Sequence, residues 1–260
     1  MSFTERAVVD GRPAEGGDVA LAVAARLGHF TAMQVRRRRV RGLDLHVARL
    51  RAATRELYGR DLDPGLVLSS IDLLLGDDVL DASVRVNVVQ TADVHVIASS
   101  GAPIDPPTSP QRLRSAAYQR FLPHIKHGGG FPTAHLVREA RAAGFDDALL
   151  VAGDGAVAEA AITNLGAFAG GQVVWPEAPM LHGITMRLME QGLARSGIAQ
   201  ERRPLKVSDL PSFDAVFLAN SHGLVPVGQV DEFVLPLDPA AMSRLHAVYE
   251  DTPWDPIPRR

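Results

Sequence analysis

Lys126 stands in the segment Phe121-Leu122-Pro123-His124-Ile125-Lys126-His127-Gly128-Gly129-Gly130-Phe131. An apolar approach leads to a lysine between two histidines, and the glycines that follow let other atoms come close to the backbone. The chain carries 27 basic residues, and all but Lys126 and Lys206 are arginine. Arginine serves surface charge and ion pairs as well as lysine does, but its guanidinium stays protonated and is a poor nucleophile. A lysine amine can lose its proton and attack a carbonyl to form a Schiff base. A lysine kept in so lysine-poor a chain therefore marks Lys126 as a candidate site. Lys206 lies in the polar run Glu201-Arg202-Arg203-Pro204-Leu205-Lys206 and reads as a solvated charge.

An aldehyde cofactor held by a lysine also needs a phosphate cradle and a partner for its ring nitrogen. Leu181-His182-Gly183-Ile184-Thr185 precedes a helix expected over 183–195. Free N–H groups, one hydroxyl and a glycine permitting close approach suit an anion there, and a plain helix cap would use the same residues. Glu159 ends the strand-like Ala156-Val157-Ala158-Glu159-Ala160-Ala161. It is either an edge charge facing water or a buried acid that keeps a pyridine nitrogen protonated. Arg49, in His46-Val47-Ala48-Arg49-Leu50, suits a phosphate clamp or an ordinary solvated guanidinium. Asn220-Ser221 places small polar donors at a strand end. His124, His127 and His135 lack a metal-ligand spacing, so no metal is expected.

These residues need elements to hold them. Phe30 to Val35 and Val40 to Leu45 read as strand-like arms, with Arg36 to Arg39 a solvated hairpin tip between them. Asp44 is a plausible N-cap for a helix ending at Gly59, and Asp63-Pro64 opens a second helix through Leu75. Ala82 to Gln90 and Val94 to Ser99 form a hairpin. Four prolines within Ser100 to Pro110 break any continuing element, so the domain boundary falls there. The expected division is a smaller N-terminal α+β domain over 1–101, a Pro-rich linker over 102–110, and a larger C-terminal domain over 111–260 that carries the lysine. In that second part, Arg112 to Arg120 is strand-like and a helix spans about Thr133 to Ala143. Hairpins turn at Gly153-Asp154-Gly155 and Gly170-Gly171. Ala215 to Ala219 reads as a buried strand, and Asp238-Pro239 caps a last helix.

The apolar share of 46% and charged share of 22% are those of a globular protein, and a net charge of -3 argues against a general nucleic-acid binder. The absence of cysteine excludes disulfides and thiolate metal sites and suits a reducing cytosol. No signal-peptide pattern opens the chain at Met1-Ser2-Phe3-Thr4, and no apolar run approaches the ~20 residues that span a bilayer, so a cytoplasmic location is expected.

Taken in order, these motifs resemble the fold-type IV pyridoxal-phosphate enzymes, which include branched-chain and D-amino-acid aminotransferases and aminodeoxychorismate lyase. The resemblance runs from about residue 28 to 231. His29-Phe30-Thr31 and His46-x-x-Arg49-Leu50 are similar to the family's N-terminal pattern, whose arginine grips the cofactor phosphate. Lys126 matches the Schiff-base lysine. Gly144-Phe145-Asp146-Asp147-Ala148-Leu149-Leu150 and Gly155-Ala156-Val157-Ala158-Glu159 match the stretch whose glutamate pairs with the pyridine nitrogen. Asn164-Leu165 resembles the step beside the ring, Gly183-Ile184-Thr185 the phosphate-binding G-I-T, and Phe217 to Ser221 with Val225-Pro226-Val227 the closing strand and P-V turn. The pattern is broken where Ala24-Ala25-Arg26-Leu27-Gly28 replaces an acidic Asp-Gly segment, where Phe131 replaces a tyrosine common in the aminotransferases, and where Val88 to His95 lacks a T-R-G.

The resemblance implies two α+β domains with the cofactor in the cleft between them, and a homodimer. It implies pyridoxal phosphate as cofactor, Lys126 as the catalytic residue, and Arg49, Glu159, Thr163, Asn164, Gly183, Ile184, Thr185, Asn220 and Ser221 as cofactor-binding residues. His29, Thr31 and Arg85 are the candidate substrate contacts. The implied activity is transamination between an amino acid or related primary amine and a keto acid. Two alternatives stand beside it: a lyase releasing pyruvate and 4-aminobenzoate from aminodeoxychorismate, and a cofactor-binding protein without efficient turnover.

Overall fold

The computed structural model describes residues 5–24 and 27–259. The opening Met1 to Thr4 and the Ala25-Arg26 step of the first departure lie outside the described residues. The chain divides into two units, one of Met1–Ile104, Ile125–Gly128 and Pro253–Arg260, the other of Asp105–His124 and Gly129–Thr252.

The first unit contains β1 (Arg6–Val9), β2 (Arg12–Pro13), α1 (Asp18–Ala24), β3 (Leu27–Val35), β4 (Arg39–Val40), α2 (Leu43–Tyr58), α3 (Pro64–Leu75), β5 (Ala82–Gln90) and β6 (Val94–Gly101). Five of the strands form an antiparallel sheet in the order β2-β1-β6-β5-β3. Along β5 the buried Ala82, Val84, Val86 and Val88 alternate with Ser83, Arg85 and Asn87, the period of a strand with one covered face. Leu50 of α2 and Ile71, Leu74 and Leu75 of α3 share that core. Asp63 caps α3 by accepting from Gly65 N–H at 2.8 Å, with Pro64 in the first turn where no N–H is needed.

The second unit contains β7 (Gln111–Ala117), α4 (Phe131–Ala142), β8 (Asp147–Val151), β9 (Val157–Ala160), β10 (Asn164–Ala169), β11 (Gln172–Pro176), α5 (Ile184–Arg195), β12 (Gln200–Arg203), β13 (Ala215–Asn220), β14 (Gly223–Val230), β15 (Phe233–Val234) and α6 (Pro239–Glu250). Its strands run β12-β11-β10-β13-β14-β7-β8-β9, and β9 pairs back onto β10 through Glu159 and Asn164. The six strands from β10 round to β9 therefore form a closed ring. Each contributes to one apolar cluster, among them Leu113, Leu149, Val157, Leu165, Leu218 and Val227. The alternate residues of β13, Ala215, Phe217 and Ala219, instead join Met186, Met189 and Leu193 of α5 and Leu245 and Val248 of α6. Both faces of β13 are thus apolar, and it reads as a continuous hydrophobic run.

Several local expectations are corrected. Val40 to Leu45 is not an arm, because helix α2 begins at Leu43. Asp44 lies inside that helix. Its N-cap is Gly42 in the left-handed region (φ 70), and Leu43 N–H donates to Asp255 Oδ2 at 2.9 Å. The run Arg36 to Arg39 is a hairpin tip, closed by Arg36–Arg39 backbone pairing with Arg37 and Arg39 exposed, but it is not solvated throughout. Arg38 is buried, donating to Asp72 and to the Gly76 carbonyl, while Arg39 donates to the Trp254 carbonyl. Beside it β16 (Asp255–Pro256) pairs with β4. Val225-Pro226-Val227 is strand rather than turn. Proline is tolerated there because the β7 pairing begins only at Val227.

Gly166 of β10 is fixed by packing. A Cβ there would meet the Phe217 ring and lie 2.8 Å from Trp175 Cζ3, in the edge-on pair these aromatics form at 5.5 Å. Gly166→Ala should therefore destabilise the second unit by ~1–3 kcal/mol, as expected of overpacking. A lowered urea midpoint with an unchanged slope checks it.

Candidate active site

Lys126 belongs to the first unit, not to the second as the sequence suggested. The cause is backbone pairing. Phe30 N–H donates to the Lys126 carbonyl at 2.8 Å, Gly128 N–H donates to the Gly28 carbonyl at 2.7 Å, and His29 and His127 form a bridge. Ile125 is buried, which anchors the segment beside β3. The half-buried Lys126 holds Nζ 4.9 Å from the centre of the Phe30 ring. The Arg85 guanidinium lies 3.5 Å from the same ring and donates to Asn87 Oδ1 at 3.0 Å.

Behind this pair runs a chain of fixed hydrogen bonds. Arg49 of α2 donates to Thr31 Oγ1. The same hydroxyl lies 2.6 Å from Nδ1 of the buried His46. Burial, then the charges of Arg49 and Lys126, hold this imidazole well below the usual range. A second buried imidazole has its hydrogen bond fixed in direction. Thr54 Oγ1 donates to the Leu50 carbonyl at 2.8 Å, so it accepts from His29 Nε2 at 3.0 Å. Burial, then Arg49, pushes His29 down to about 4. His29 and Thr31, expected to meet substrate, are both interior and committed to these bonds.

The second unit gathers another group. Glu159 is buried at the ring closure, opposite Leu150 of β8 and Asn164 of β10, and is no edge charge. Its Oε1 accepts from Arg120 Nη1 and from Leu181 N–H, each at 3.2 Å. Asn164 Nδ2 donates to the Leu181 carbonyl at 2.6 Å. Leu181 thus ties the acid and the amide to the start of α5. Gly183 is the N-cap of that helix, with Ile184 and Thr185 buried in its first turn and no side-chain cap. A Cβ on Gly183 would overlap Asn164 Oδ1, so Asn164 requires a glycine here. Thr163 Oγ1 is buried with no hydrogen-bond partner. Asn220 Oδ1 accepts from His222 N–H at 2.8 Å, shaping the turn that contains Ser221. Phe131 is 82% exposed and stacks on His135. Arg120 was missed from sequence, since one more arginine at a strand end carries no signal in so arginine-rich a chain. Among the described residues no cluster of histidines and carboxylates could hold a metal ion, and no helix is long and apolar enough to cross a membrane.

The sheet architecture and this residue order are those of the class IV aminotransferases. The chain matches that family, described as Amino-transferase class IV, over residues 28–230 and belongs to it. A curated relative from Synechocystis sp. (strain ATCC 27184 / PCC 6803 / Kazusa), "Probable branched-chain-amino-acid aminotransferase", is 34% identical over 127 residues, covering 47% of this chain and 42% of the relative. The matched stretch is thus less than half of that relative's length. Two solved structures share the fold. One is a Legionella pneumophila subsp. pneumophila str. Philadelphia 1 protein provisionally named 4-amino-4-deoxychorismate lyase, with TM-score 0.80, 20% identity, and 93% of this chain and 96% of that one covered. The other is the branched-chain aminotransferase of the thermophilic archaeon Thermoproteus uzoniensis with norvaline, with TM-score 0.79, 19% identity, and 94% and 93% covered.

The buried imidazoles make the fold acid-sensitive. Unfolded His29 takes a proton near the ordinary value of ~6.5, whereas folded His29 does so only near about 4. The stability this contributes is full above the first value and is lost as pH falls toward the second. A decline on the order of 1–2 kcal/mol between about pH 7.5 and about pH 5 is expected from His29, with His46 acting in the same direction. Urea midpoints at the two pH values should show it, with a shallower decline in His29→Gln.

Proposed function

We propose that the chain is a pyridoxal-phosphate enzyme that moves the amino group of an amino acid or related primary amine to a keto-acid acceptor. Within a class IV aminotransferase, the observation that carries this reading is Glu159, a buried carboxylate paired with an arginine. Its surroundings fit the cofactor's ring nitrogen, and the uncapped first turn of α5 fits its phosphate. The unpartnered Thr163 hydroxyl is a further donor. Lys126, Arg49, Glu159, Thr163, Asn164, the Gly183-Ile184-Thr185 turn, Asn220 and Ser221 would bind the cofactor.

When bound, pyridoxal phosphate supplies an electron-poor ring that lets a neighbouring carbon give up a proton. Lys126 Nζ would hold the aldehyde, and once an incoming substrate amine displaces it the freed amine would move that proton, as base and afterwards as acid. The Glu159 carboxylate holds the ring-nitrogen proton, and Arg49 grips the phosphate with its planar donors. Thr31, with His46 behind it, orients Arg49. Arg85, held over Phe30, is the candidate for a substrate carboxylate. A homodimer working in the cytoplasm completes the reading.

Borohydride treatment of the loaded protein followed by peptide mapping should find the cofactor on Lys126. Capture on Lys206, or none, would sink the assignment. Lys126→Arg keeps the charge and should abolish turnover, because guanidinium cannot take over the amine's role. Glu159→Gln should keep the cofactor but slow turnover by an amount on the order of 3 kcal/mol in barrier. Keto-acid formation from an amino-acid panel is the defining assay. Pyruvate release from aminodeoxychorismate in its place would reassign the chain as a lyase.

A further inference from the structure

We propose that Arg120 is the positioning residue of Glu159, holding it ionised and aimed while tying it to the Pro123 carbonyl. The proposal rests on the cofactor reading above.

The physical need comes first. Glu159 has an 8% exposed side chain. A carboxyl so placed takes up a proton unless a nearby cation keeps it charged. A neutral acid could not hold a proton on a ring nitrogen. Its neighbours on the flanking strands are Leu150 of β8 and Asn164 of β10, and the Leu181 N–H donates from the segment before α5. None of these brings a charge. Arg120 does, through an ion pair of 3.2 Å with a side chain only 12% exposed.

Both donations fall on the same oxygen, Oε1, which fixes the plane of the carboxylate from two directions. The same Nη1 also donates to the Pro123 carbonyl at 3.2 Å, three residues before Lys126. One guanidinium therefore holds both the acid and the Pro123 carbonyl. Arginine suits the task better than lysine, since it stays protonated beside a buried acid and cannot compete with Lys126 for an aldehyde.

The test begins on the cofactor-free protein, with carboxyl-labelled glutamate followed by carbon NMR and Glu159 assigned by its loss in Glu159→Gln. In Arg120→Met the Glu159 protonation midpoint should rise by about one to three pH units, and Arg120→Lys should recover most of the difference. In the loaded protein, the pH profile of the visible band in Arg120→Met should move toward that of Glu159→Gln. Adding Arg120→Met to Glu159→Gln should change it no further. If Arg120→Met does not fold, Arg120→Gln is titrated in the same way. An unchanged Glu159 midpoint, with an unchanged visible-band profile, would reduce Arg120 to a structural ion pair and overturn the proposal. A shifted midpoint in a protein whose Lys126 captures no cofactor would instead defeat the functional reading and leave the ion-pair result standing.

Discussion

The second unit depends on closing its ring of strands at β9. This strand has only four residues, yet it must pair with β8 on one side and β10 on the other. The last contact of the circle is Glu159 opposite Asn164. Closure removes the sheet edge at which a charge could meet water, so Glu159 is buried by topology. The alanines around it follow from the same crowding, since Ala158 and Ala160 are nearly inaccessible. The closing pair also reaches outward. Leu181 donates to one member and accepts from the other, so the backbone that starts α5 is set by the residues that complete the ring.

Where a segment's structure is decided by its own neighbours, the sequence was readable. Asp63-Pro64 and Asp238-Pro239 start helices because side chain and imino ring act within one turn. Gly170 and Gly171, both at positive φ, turn a hairpin as the dipeptide suggested. Reading failed where the deciding partner is remote. Asp44 looks like a cap, but the acceptor at that helix start is Asp255, 212 residues away. Four successive arginines look like a solvated tip, but Asp72 and the Gly76 carbonyl take Arg38 inward.

The candidate site shows the same division. Lys126 stood out because arginine cannot do its chemistry, a property of the residue itself. Whether Glu159 faced water or protein could not be read from a short run of alanines, because either face of a strand fits that pattern. Gly183 was legible as a residue that must be small, but the atom pressing on it belongs to Asn164, which no local pattern announces. His29 and Thr31 were picked out by position in a motif. Both are buried and hydrogen-bonded, His29 to Thr54 and Thr31 to His46 and Arg49, partners that no local run of sequence reveals.

The first unit is assembled from three separated stretches of chain. Its sheet is written almost entirely before residue 102, yet the strand partner of β4, the acceptor at the start of α2 and the buried Ile257 all come after residue 252. Domains generally form as units, N-terminal first, as synthesis proceeds. Here the ribosome must deliver the whole second unit before the first can be finished. Until then the N-terminal half emerges with a short edge strand unpaired and apolar surface open, which is the state that chaperones engage. Loop closure over so long a separation also slows the final docking. The order of synthesis and the order of completion are therefore reversed for the unit that carries Lys126.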